Sequence, residues 1–85
     1  MAEVEIGKVV HYFSKAGVAA IQVTQDVLRV GDTIHVKGHT SDFTQKIDSM
    51  QVDNQSVSEA TTGQTIGLRV KDHAREHDLV YKTVE

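Results

Sequence analysis

Apolar and polar residues alternate along most of this chain, and that period-two pattern narrows what it can fold into more than any other feature. In TIHVK, residues 33–37, Ile34 and Val36 share one face while Thr33, His35 and Lys37 share the other, as in a half-buried strand. The pattern returns with Ile66, Leu68 and Val70 in TIGLRV, with Ala19, Ile21 and Val23 in VAAIQV, and again in LVYKTV. Small alanines on an inward face suit the interior of a narrow barrel. Apolar residues rarely recur at three-and-four spacing, so no helix long enough to cover a sheet is expected. The segment KIDSMQV breaks the alternation: Ile47 is odd-numbered whereas Met50 and Val52 are even. A β-bulge near Asp48 or Ser49 would bring all three inward.

Two similar turn signals punctuate the runs. Gly31–Asp32 precedes TIHVK, and Gly63–Gln64 precedes TIGLRV. Each glycine supplies a backbone conformation with positive φ at no steric cost, and Asp32 and Gln64 can hydrogen-bond back onto their turns. Strands are then expected near residues 4–12, 17–24, 32–38, 43–53, 64–71 and 79–84. With no helix to shield a sheet edge, closure into a ring hides the edges most simply. The expectation is an all-β fold, a six-stranded closed antiparallel barrel.

At 85 residues the chain is expected to form one domain, residues 1–85. It has no cysteine, which removes disulfides, thiolate chemistry and cysteine-based zinc sites from consideration. MAEVEIGKVV lacks the apolar core of a signal peptide, and no run approaches a membrane span, so a cytoplasmic protein without membrane association is expected. A formal net charge of −3 speaks against a broad electrostatic grip on nucleic acid, though not against a local one.

Chemistry is sparse. The serines sit in no G-x-S-x-G elbow, no acidic pair lies against an apolar run, and no G-x-x-x-x-G-K-[ST] loop is present to hold phosphates. An enzyme is therefore not expected, nor a cofactor, nor GTP binding by this chain alone. His73 and His77 in DHAREHD are four apart, which on a helix would suit a metal, but the stretch reads as a solvated loop between strands. His35 is expected on the solvent face beside Lys37, and His39 in a turn. The remaining candidates are cations on the outer wall. Lys37, Arg69 and Lys71 point outward if the barrel closes, and with Lys15 and Tyr12 they are candidates for contacting RNA or a protein partner, Phe13 being expected in the core.

VLRVGDTIHVKG, then QKIDSMQVDNQSVSEATTGQTIGLRV, then REHDLVYK together resemble, in order and spacing, the second domain of translational GTPases such as elongation factor Tu. The chain is also similar to short stand-alone elongation-factor-like proteins and to the barrel at the carboxyl end of collagenase-like peptidases. The resemblance implies a six-stranded Greek-key barrel without catalysis of its own. It implies a binding module for tRNA, the ribosome or a translation-linked partner, or alternatively a protein-interaction subunit that positions a separate enzyme. In the strand SKAGVAAIQV, Lys15 and Gly17 keep part of the family's basic, glycine-bearing pattern, while Ala19, Ala20 and Gln22 depart from it.

Overall fold

The longest strand, β1 (Ala2–Phe13), cannot follow strict alternation, because two register shifts interrupt it, between Glu5 and Gly7 and between Val9 and His11. Each shift reverses which parity faces inward and sharpens the bend of the strand. Ile6 and Val9 are both buried as a result, although their numbers differ in parity. The second shift also inverts the expectation for the aromatic pair: Tyr12 packs on the core, whereas Phe13 is 51% exposed and meets the His11 ring edge-on at 4.4 Å.

The computed structural model describes residues 2–84. They form ten strands and no helix, all paired antiparallel. The others are β2 (Val18–Val23), β3 (Val27–Arg29), β4 (Thr33–Lys37), β5 (Asp42–Lys46), β6 (Met50–Val52), β7 (Gln55–Val57), β8 (Glu59–Thr61), β9 (Thr65–Arg69) and β10 (Leu79–Val84). Eight make one sheet in the order β5-β4-β10-β1-β2-β9-β6-β7, and β3 pairs with β8 separately. The all-β antiparallel expectation holds. The six continuous strands and the closed ladder do not: the sheet ends at β5 and β7, which are not paired to each other.

The extra strands have local causes. The run from 43 to 53 is not one bulged strand but two strands separated by residues 47–49, so Ile47 and Met50 reach the core from independent registers. Val52 and Gln55 flank a two-residue turn, Asp53–Asn54, with φ of 52° and 64°, the geometry that returns a tight hairpin. The short pair β3–β8 lies between two matching turns. Asp32 donates its amide to the Arg29 carbonyl at 3.0 Å and accepts the Arg29 amide on Oδ2 at 2.8 Å. Gln64 donates to the Thr61 carbonyl at 3.1 Å and accepts the Thr61 amide on Oε1 at 2.8 Å. Gly31 and Gly63 occupy the third position of each turn at φ 98° and 96°, where a Cβ is disfavoured. Leu28 pairs opposite Ala60, both buried, so the two turn-and-strand units meet back to back on the core.

The alternating positions converge as the period requires. Ile34 and Val36, Ile66, Leu68 and Val70, and Ala19, Ile21 and Val23 are all buried in one cluster, joined by Leu28, Ile47, Met50, Ala60 and Val80. Alternation also carries Lys82 inward beside Val80. Its stem lies against the core while its ammonium emerges to donate to the Val27 carbonyl at 2.7 Å, with Asp26 Oδ2 at 3.5 Å. The Val27 amide, bonded to the Asp26 carboxylate at 2.8 Å, and then the Lys82 charge hold the Asp26 carboxyl below its ordinary range.

Gly7 stands where β1 passes from its pairing with β10 to its pairing with β2, and a Cβ there would collide with the Gln22 carbonyl oxygen. Gly7→Ala is expected to lower the unfolding free energy by about 1–3 kcal/mol, and the exposed Val10→Ala by no more than about 0.5 kcal/mol. Urea denaturation checks this through a lower midpoint at unchanged slope.

Candidate functional site

Beyond Lys46 the chain leaves β5, and β6 meets β9 at a single register position, Gln51 opposite Gly67. A gap therefore opens between β5 and the end of β9. One side chain crosses it: Gln45 donates from Nε2 to the Arg69 carbonyl at 3.0 Å and accepts the Lys71 amide on Oε1 at 2.8 Å. Around this bridge lies a cavity of about 540 Å³ lined by Gln45, Lys46, Asp48, Ser49 and the stretch from Arg69 to Lys71. Ser49 and Arg69 also line an adjoining hollow of about 310 Å³, together with Val18 and Gly67.

The charge in this seam is unbalanced. Lys46, Arg69 and Lys71 face it against a single carboxylate, Asp48, and among the described residues none of the three cations has an acidic partner within 4.0 Å. On a chain of net charge −3 this is a local concentration of positive charge on a concave surface, an arrangement that focuses field.

Of the sequence candidates, the fold joins Arg69 and Lys71 here and sends the others elsewhere. Tyr12 is half-buried, its ring 4.4 Å from that of His73, beside a separate hollow with Ser14, Arg75 and Glu76. Lys15 sits exposed in the β1–β2 turn, whose Gly17 carbonyl accepts the Val70 amide, without lining the seam. Lys37 ends β4 opposite Leu79 and Asp42. Lys46 was the cation to add: two residues beyond Thr44 on β5, it shares the outward parity. Gln45 shares the inward parity of Phe43, a polar residue at a core-facing position, but nothing in the sequence points to its partners 24 and 26 residues further on.

The DHAREHD stretch is a loop, so the helical face that would bring His73 and His77 together does not form. His77 adopts φ 75° and donates its amide to the Val9 carbonyl, and among the described residues no three His, Asp or Glu side chains converge on one point.

His35 corrects the expectation of a solvated histidine. Its side chain is 17% exposed, with Nδ1 2.8 Å from Glu3 Oε2 and Nε2 2.5 Å from Asp42 Oδ1. Glu3 belongs to β1 and Asp42 to β5, so the ring ties three strands across β10. The Asp42 hydrogen bond, assisted by Glu3 and opposed by burial, raises the imidazole pKa above its ordinary 6.5. The folded state thus binds this proton more tightly than the unfolded chain. The resulting stabilisation is complete below the unfolded pKa and is lost as pH rises through the folded one. The stability difference between the native protein and His35→Gln should accordingly be larger at about pH 5.5 than at about pH 9. Paired denaturation curves at the two pH values check the sign.

No family model matches the chain. Three curated proteins do. A collagenase of Porphyromonas gingivalis is 35% identical over 94% of this chain and 20% of its own length. A second collagenase of that organism is 36% identical over 91% of this chain and 22% of its own. An uncharacterized protease of Methanocaldococcus jannaschii is 36% identical over 93% of this chain and 19% of its own. The chain spans about a fifth of the length of these relatives.

Among solved structures, the C-terminal domain of a Geobacillus thermoleovorans protein described as a U32 peptidase superposes with a TM-score of 0.85 at 23% identity, covering 93% of this chain and 91% of that domain. GDP-bound aIF5B from Aeropyrum pernix, a translational GTPase, superposes with a TM-score of 0.67 at 20% identity, covering 96% of this chain and 15% of that one. The likeness to translation factors thus holds at the level of fold, while the sequence matches lie with proteins described as collagenases and proteases.

Proposed function

We propose that this chain is a non-catalytic accessory module of a collagenase-like peptidase system, a protein-interaction unit that positions a separate catalytic part. The reading rests on one observation: 91–94% of the chain aligns at 35–36% identity with only about a fifth of proteins described as collagenases or proteases. The bulk of each relative lies outside the matched part, and this reading puts the catalytic machinery there. The absence of a recognisable nucleophile motif in the sequence agrees with this division. In this reading residues 1–85 act as one domain in the cytoplasm, a barrel of the translation-factor kind whose wall is completed at the seam by Gln45 rather than by a strand pair.

A second reading keeps the module but gives it an RNA partner, tRNA or ribosomal. The observation in its favour is the seam itself, where Lys46, Arg69 and Lys71 outnumber the one carboxylate.

Affinity capture of the tagged chain from its native cells, followed by mass spectrometry, separates the two. Recovery of a collagenase-like peptidase in near-stoichiometric amount is the expected result. Recovery of ribosomal proteins and tRNA, lost as salt is raised, would overturn the peptidase reading in favour of the second.

A further inference from the structure

The seam offers more than charge. β5 is a terminal strand of the sheet, so its main chain has no strand neighbour along one edge. Facing it, the Arg69 carbonyl and the Lys71 amide are held by the Gln45 carboxamide. A primary amide presents the same C=O and N–H groups as a peptide unit, so Gln45 occupies hydrogen-bonding positions that a neighbouring strand would otherwise fill. Gly67, which has no side chain, and the half-buried Val18 line the adjoining hollow. A main chain can approach closely there.

We propose that the seam is a docking site for an extended acidic segment of a partner protein. Its backbone takes over the Arg69 carbonyl and Lys71 amide from Gln45, adding a strand at the open edge, and its carboxylates face Lys46, Arg69 and Lys71. Charge alone would admit a nucleic-acid backbone equally well. The Lys71 amide could donate to a phosphate oxygen, but the Arg69 carbonyl needs a donor that a phosphate group lacks, and a peptide unit supplies both partners. Asp48, the one opposing carboxylate, favours a segment whose acidic residues alternate with neutral ones over a continuous anionic run.

The proposal rests on the accessory-module reading for the identity of the partner, not for the chemistry of the groove. The test therefore uses no peptidase. Isotope-labelled protein is titrated, by NMR, with a synthetic peptide of about ten residues alternating Glu and Thr, with its Lys–Thr counterpart, and with oligouridylate. The expected result is saturable movement of the Gln45 side-chain NH₂ and Lys71 amide signals with the Glu–Thr peptide alone, weakening as salt is raised. The charge reversal K46E/R69E should weaken binding by about tenfold or more. The milder K46Q/R69Q, placed on the same exposed positions, should weaken it less and guards against loss of fold. Unmoved seam signals at about 1 mM peptide, equal movement with the Lys–Thr peptide, or movement with oligouridylate alone would each overturn the proposal. If the peptide fails while a peptidase is captured, the module docks through another surface; if it binds while no peptidase is captured, only the partner's identity falls.

Discussion

Strands β5 and β9 are not paired, and the Gln45 carboxamide links them by bonding the Arg69 carbonyl and the Lys71 amide. One side chain makes both bonds, at exposed positions where each contributes about 0.5–1.5 kcal/mol net. It also fixes the spacing between the last strand of the sheet and the β9 end, and so the mouth of the cavity around which Lys46, Arg69 and Lys71 gather. The sheet remains an open ladder around a single core, with two register shifts in β1 of the kind that bend a strand and one amide across its gap.

The parts of the fold that depend on local pattern were legible in the residues. Alternation places Ile34, Val36, Ile66, Leu68 and Val70 inward, and they are buried. The glycines at 31 and 63 have positive φ, and the residue after each bonds back onto its turn. What was not legible depends on partners distant in the chain. Phe13 faces out and Tyr12 in because a bulge set by pairing with β2 shifts the parity of β1. His35 is sheltered because Glu3 and Asp42 reach it from two other strands. Gln45 finds its partners some 25 positions further on, at separations of 24 and 26 residues. The Asp53–Asn54 hairpin is a different case, since Asp and Asn both tolerate the positive φ of a tight turn, and this turn at the end of the expected 43–53 run was readable but not read.

The candidate site follows the same division. Outward parity identified Arg69 and Lys71 as surface cations, but only the tertiary gap gives them a common groove with Lys46. Lys15 and Lys37 are exposed and Tyr12 packs on the core, and none of the three lines that groove, because they lie on the β1–β2 turn, β4 and β1. The likeness to a translation factor is one of fold, the likeness to collagenase-described proteins one of sequence, and fold by itself does not decide function. The seam is where main-chain edges, charge and a concave floor coincide.

Hydrogen exchange at the Lys71 amide tests the central claim, that a side-chain amide completes the wall, most directly. If Gln45 holds that amide, Lys71 is protected in the native protein, and Gln45→Ala speeds its exchange by about tenfold or more while core amides such as those of Ile21 and Leu68 stay protected. Unchanged protection of Lys71 in Gln45→Ala would contradict the account.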